Sequence, residues 1–142
     1  MSAASAKLGG MTAEIPADYV RLLEEPFYGS LGTIRPDVTV QVSPMWYLFD
    51  AETQTLRFTH TTTRAKYRNL MQNPSMSLAV FDPENPFRYL EVRGRLIGVE
   101  PDPAGDFYVV LGKRYGNPDQ APPPDSADRV ILTMSIEHTV HQ

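Results

Sequence analysis

Between Leu56 and Phe81 the chain carries Arg57, Arg64, Lys66 and Arg68 and no carboxylate in 26 residues. The whole chain has 13 Lys and Arg against 17 Asp and Glu, a net charge of −4, so this one stretch at +4 leaves the remainder at about −8. Three hydroxyls, Thr61, Thr62 and Thr63, stand just before a segment of helical spacing. Cations fill the first turn of that segment, where the helix dipole favours acids. A cluster of charge is ordinarily a solvated helix face. Cations at the positive end of a helix are unfavourable, however, unless an anion sits among them. Free N–H groups, Thr hydroxyls and Arg and Lys side chains are what a phosphate needs. On a helical wheel Arg64 and Arg68 share one side and Lys66 points elsewhere, yet Arg64 and Lys66 both reach the helix end.

Other chemistry has little support. With no cysteine in the chain, a thiolate metal site, a disulfide framework and a Cys nucleophile are excluded. No Gly-x-Ser-x-Gly elbow, Walker loop or Rossmann glycine pattern occurs. His60, His138 and His141 lack metal-ligand spacing, and His60 alone lies in the basic window; a lone strand histidine is more often structural than catalytic. No catalytic side chain is designated. Trp46 and Tyr47 belong to the core or to a barrel mouth. The run Asn85-Pro86-Phe87-Arg88-Tyr89 reads as a turn feeding a strand, although Phe, Arg and Tyr in sequence can stack on a planar ring. A bound cofactor with its own redox chemistry would account for a chain without nucleophile or metal set.

The elements that must position these residues are short and punctuated by 13 prolines. Periodicity predicts a helix over Ile15–Glu25, with Pro16 in its first turn and Pro26 as its stop. Strands follow at Ser30–Ile34, at Val38–Phe49 with an interruption or edge position at Pro44, and at Leu56–His60. A second helix covers Thr63–Asn73 and a strand Met76–Phe81. After a loop at Asp82–Pro86, a long strand spans Phe87–Val99. A third helix is expected from a cap at Asp102 to Tyr115, with Gly116 as its stop. Asn117–Asp128 reads as an extended loop and Val130–His138 as the last strand. Six strands and three short helices favour a mainly β, antiparallel barrel.

The length of 142 residues suits one domain; we expect a leader at 1–14 and a single domain at 15–142. The acidic balance argues against nucleic acid as a partner. No apolar run reaches a membrane span, and the start lacks a secretory h-region. A cytoplasmic protein is the expectation.

Several runs resemble a known family. Thr63-Arg64-Ala65-Lys66-Tyr67-Arg68-Asn69-Leu70, followed by Asn73-Pro74 and Ser77, is similar to the phosphate-binding segment of the pyridoxamine 5'-phosphate oxidase-like, FMN-binding split-barrel family. Asp82 to Gly94 resembles its branch that uses the deazaflavin coenzyme F420. Gly32-Thr33, Gln41-x-Ser43-Pro44-Met45-Trp46, Arg129-Val130-Ile131 and Ile136-x-His138 also match, in order, over about residues 16 to 140. The resemblance implies a homodimeric split β-barrel with cofactor sites at the subunit interface. It implies that Arg64 and Lys66 hold the cofactor phosphate, with Thr59, Thr61 and Thr63 beside them and Asn69 supporting the segment. Gln41 and Ser43 would flank the ring, and Arg88 and Tyr89 would reach across from the other subunit. The sequence departs from the pattern at Asp37-Val38-Thr39-Val40, where the family commonly has Asp-Gly and then a proline before the glutamine. Valine takes a glycine turn conformation only at a cost, so a different hairpin is expected there.

The leading expectation is an F420-dependent reductase passing hydride to an electron-poor small molecule. An FMN oxidoreductase of the same fold and a non-catalytic carrier or sensor of a flavin-like ligand are the alternatives.

Overall fold

The computed structural model describes residues 13–142. Within them are eight strands and three α-helices: α1 Arg21–Glu24, β1 Gly29–Ile34, β2 Val40–Met45, β3 Leu48–Asp50, β4 Thr55–Thr61, α2 Ala65–Gln72, β5 Ser75–Asp82, β6 Asn85–Pro101, α3 Asp106–Arg114, β7 Arg129–Ser135 and β8 His138–His141. Every strand pairing is antiparallel. The order is β2-β1-β5-β6-β7-β4-β3, with β8 also on β6. Among the described residues β2 and β3 end the path without meeting, which leaves the mainly β sheet open, or split. Of the expected leader, only residues 13 and 14 are described. The Ala13 N–H already donates to the Ile136 carbonyl at 3.0 Å.

The 17-residue strand β6 joins the two halves. Its first part pairs with β5 as far as Arg95, and its last part, from Leu96, pairs with β7. Gly94 sits at the changeover. A Cβ there would overlap the Ser135 carbonyl, so only glycine lets β7 cross this closely. Alternate residues of these strands fill the core, with Leu31, Phe58, Leu78, Leu90, Leu132 and Met134 all fully buried.

The expected helix over Ile15–Glu25 shortens to the single turn α1. Its last carbonyls are taken by an arginine rather than by further turns. The Arg114 guanidinium donates to the carbonyls of Leu23 (3.1 Å), Glu24 (3.0 Å) and Glu25 (2.9 Å), and to that of Tyr47 (3.0 Å). The single strand expected over Val38–Phe49 is two strands on opposite edges, β2 and β3. The break falls at Trp46–Tyr47, and Pro44 stays paired opposite Ser30 in an edge strand, where the missing N–H costs least. The loop expected at Asp82–Pro86 is a tight connection between β5 and β6, and the Glu84 N–H donates to the Asp82 carboxylate at 2.9 Å. The last strand divides at Ile136, which is buried, and β8 returns to the first part of β6. Helix α3 starts at Asp106 rather than at Pro103. Asp102 caps it from upstream, its carboxylate accepting the N–H groups of Asp106 (3.1 Å) and Phe107 (3.0 Å).

The departing hairpin keeps the glycine-like turn. Val38 has φ 62°, in the left-handed region, and its side chain is 79% exposed, so no packing opposes it. Neighbours hold the turn. Asp37 Oδ1 accepts from the N–H (3.1 Å) and hydroxyl (2.6 Å) of Thr39, and the Arg35 N–H donates to the Thr39 carbonyl at 2.8 Å.

Candidate cofactor site

The end of β4 and the start of α2 form the junction that the basic window marks. Thr61 is fully buried and its Oγ1 lies 3.1 Å from that of Thr63. Arg64, the residue before α2, has extended backbone (φ −101°, ψ 161°) and gives the helix no side-chain cap. No acid occupies the first turn, so the N-terminal N–H groups and the dipole are uncompensated there.

A cavity of about 470 Å³ opens at this junction. Its cations are Arg64, just before α2, Lys66 of α2 and Arg129 of β7. Its aromatic rings are Tyr28, Trp46 and Tyr108, and Ser43, Thr59 and His60 supply polar lining. The Trp46 ring stacks on Tyr115 (5.5 Å between centroids, 13° between planes) and lies 5.7 Å from Tyr108. The Tyr115 hydroxyl donates to the Phe27 carbonyl at 2.8 Å, so the indole rests on a fixed ring.

Three cations here face one carboxylate. Asp125 pairs with Arg129 at 3.1 Å and with Arg64 at 3.8 Å. Arg129 is 7% exposed; it reaches the Thr59 hydroxyl at 3.4 Å and lies over the Tyr108 ring. Burial, and then the Arg64 charge, lowers the Lys66 ammonium below its usual range. Burial, then Lys66, Arg64 and Arg129, lowers His60 to about 4, so its imidazole is neutral at pH 7. Among the described residues, Ser43 Oγ, Arg57 Nε and His60 Nε2 are buried without a hydrogen-bond partner. Two of the three belong to this cavity. Orphaned polar atoms beside excess positive charge fit a ligand with an anionic phosphate, and the aromatic rings fit a planar ring system.

Of the residues expected at the site, Ser43, Thr59, Arg64 and Lys66 line this cavity together; Thr61, at the end of β4, and Thr63, between β4 and α2, contact each other and do not line it. Arg64 and Lys66 both reach the cavity from the helix end, while Arg68 turns back to donate to the Thr63 carbonyl at 2.7 Å. Arg57 lies over the Phe107 ring. Asn69 is buried and supports the segment from behind, donating to Thr33 Oγ1 (3.1 Å) and Gln41 Oε1 (2.9 Å). Gln41 thereby lines a separate cleft with Arg35 and Arg68. Arg88 and Tyr89 stand outside the cavity of their own chain. Arg88 donates to the Asp18 carbonyl at 2.7 Å and covers the Tyr19 ring.

Tyr28, Tyr108 and Arg129 also line the cavity, and apart from the strand motif that contains Arg129 no local pattern in the sequence marks them. Their signal is tertiary. Arg129 stands opposite Thr61 in the β4–β7 register, and Tyr108 arrives on α3 from the far end of β6.

The comparisons agree with this architecture. The family model described as pyridoxamine 5'-phosphate oxidase matches residues 15–142. A solved structure named F420 reductase is 50% identical, covering 90% of this chain and 100% of its own, with a TM-score of 0.86. A conserved hypothetical protein from Mycobacterium tuberculosis is 19% identical over 93% of this chain and 86% of its own (TM-score 0.69). General Stress Protein 26 from Bacillus anthracis is 18% identical over 86% and 88% (TM-score 0.65). These last two share the fold. Among curated proteins there is no match. A model match across nearly the whole described chain, on a split sheet of this topology, places the protein in the pyridoxamine 5'-phosphate oxidase family.

Proposed function

We propose that this protein is an oxidoreductase that uses the reduced deazaflavin coenzyme F420 to reduce an electron-poor organic molecule. One observation carries the reading. The cavity at the start of α2 holds more cations than carboxylates, together with hydrogen-bonding atoms that have no partner. Similarity to the F420 reductase selects the deazaflavin over FMN. The chemistry that coenzyme supplies when bound is hydride transfer from C5 of its ring to an acceptor such as an enone, quinone or tetrapyrrole.

The chain's own residues bind and orient. Arg64 and Lys66 hold the phosphate, with the hydroxyls of Thr59, Thr61 and Thr63 beside them and Asn69 bracing the helix. Ser43 and, through Asn69, Gln41 set the strand that flanks the ring. The ring wall of Tyr28, Trp46 and Tyr108 keeps water from the planar part, which strengthens every polar contact inside. The protein acts as a single-domain homodimer in the cytoplasm. Arg88 and Tyr89, which lie outside their own cavity, complete the site of the opposite subunit. Among the described residues no helix is long and apolar enough to cross a membrane.

Titration of the purified protein with coenzyme F420, read by ring fluorescence, tests the assignment. Binding at micromolar concentration or tighter is expected. Tight FMN binding with no response to the deazaflavin would overturn it.

A further inference from the structure

We infer that His60 is a further binding residue of this cavity, its Nε2 a contact to the anionic group that Arg64 and Lys66 hold, and that it takes up a proton as that group binds. The inference rests on the phosphate site proposed above, but it concerns a side chain that site does not include. His60 is the penultimate residue of β4, directly before the Thr61–Thr63 connection, and it is 4% exposed. Its Nε2 is buried without a partner, and the residue lines the same cavity as Arg64 and Lys66. A buried ring nitrogen without a partner is costly, so a site that keeps one has a use for it when occupied.

The surroundings say what that use is. The charged groups that act on the imidazole are Lys66 of α2, Arg64 just before it, Arg129 of β7 and Asp125 from the loop preceding β7. The first three are donors only and offer the ring nothing it can donate to. Asp125 is occupied by Arg129 and Arg64. An incoming phosphate is rich in acceptors and complements an Nε2–H.

The same geometry predicts proton uptake. In the ligand-free cavity, burial and three cations keep the imidazole neutral down to about pH 4. A phosphate placed among those cations cancels their field at the ring, so the protonated form gains. The folded-state pKa therefore rises on binding, and affinity must grow as pH falls through the raised value and level off below about 4. Lys66, also lowered in the free site, contributes uptake of the same sign in the alkaline range, so the two windows are separable.

Two ligands test this: coenzyme F420 and inorganic pyrophosphate. Binding is measured across pH for the wild type, His60→Gln, which retains an N–H near Nε2, and His60→Phe, which does not. Far-ultraviolet circular dichroism and thermal melts check that each variant folds. His60→Phe is expected to weaken binding about tenfold, His60→Gln to recover most of it, and both to flatten the acid-side pH dependence. The imidazole nitrogen resonances of His60 report directly: they should stay neutral below pH 5 without ligand and titrate higher with pyrophosphate. A folded His60→Phe that binds as tightly as wild type with the same pH profile overturns the inference. So does a His60 resonance that pyrophosphate leaves unmoved. If F420 binds and His60 is indifferent, the deazaflavin reading stands and this inference falls. If pyrophosphate alone binds and shifts His60, this inference stands and the choice of coenzyme falls.

Discussion

Lys66 carries the most direct consequence of the site at the scale of one residue. Its ammonium lies in the cavity beside Arg64, where burial and that neighbour disfavour its charge until an anion arrives. Lys66→Ala should therefore weaken coenzyme binding by about 1.5–3 kcal/mol, the range for a charge-assisted hydrogen bond, with little change in fold stability; a fluorescence titration beside a thermal melt measures both. His60 links the same site to stability. Its folded pKa of about 4 lies below the ordinary 6.5, so protonation favours the unfolded chain. The stability it contributes is complete above about pH 6.5 and is lost as pH falls towards 4, up to about 3 kcal/mol in all. Denaturant unfolding of the ligand-free protein at pH 7.5 and at pH 4.5 should differ more for wild type than for His60→Gln. Equal differences would contradict the buried neutral imidazole. The basic window was legible as a candidate site for an anion because four cations without an acid are visible in a line of text. Arg64 and Lys66, the two that the resemblance singles out, line the cavity, while Arg68 is drawn to the Thr63 carbonyl.

Single side chains also decide how the elements end. Arg114 closes α1 from the far side of the fold, with hydrogen bonds to three carbonyls at its end and one to Tyr47. Arg114→Ala leaves those carbonyls without their charged donor and should cost about 2–3 kcal/mol, with Trp46 fluorescence changing because the rings beneath it lose their anchor. The hairpin at Val38 carries strain in the opposite sense. Val38→Gly removes the left-handed penalty, less the entropy glycine adds to the unfolded chain, and should raise stability by about 0.5–1 kcal/mol in chemical denaturation. Most strands were legible from alternation and proline punctuation. The splitting of Val38–Phe49 and of Val130–His138 was not, because each break lets the chain pass from one half of the sheet to the other. The Arg114 clamp lies 89 to 91 positions from its carbonyls and leaves no local trace. The expected helix shortens at its start instead, where the N–H groups of Tyr19 and Leu22 donate three residues back, to Pro16 (2.8 Å) and Tyr19 (3.0 Å), and form turns.

For the whole molecule, the opposing facts are a chain of net charge −4 and a cavity lined by three cations. The acidic remainder and the basic pocket are one arrangement: positive charge is concentrated at the cavity and the balance is reversed elsewhere, which favours a small anionic ligand over a polyanion. The fold makes the site from both of its halves, since β2 belongs to one and β4, β7 and α3 pack on the other. Sequence order alone could not bring Ser43, Lys66, Tyr108 and Arg129 to one cavity, whereas the family resemblance could place the first two. Arg88 and Tyr89 outside that cavity fit a site completed by a second chain, and light scattering should give twice the 15.9 kDa chain mass. The activity is hydride transfer from a bound deazaflavin. It is tested most directly by mixing the protein, loaded anaerobically with reduced coenzyme F420, with a panel of quinones, enones and tetrapyrroles and following the return of the oxidised ring's absorbance. We predict that at least one acceptor is reduced faster than by free reduced coenzyme, and more slowly by Lys66→Ala. A bound coenzyme whose oxidation no acceptor accelerates would rule out a reductase.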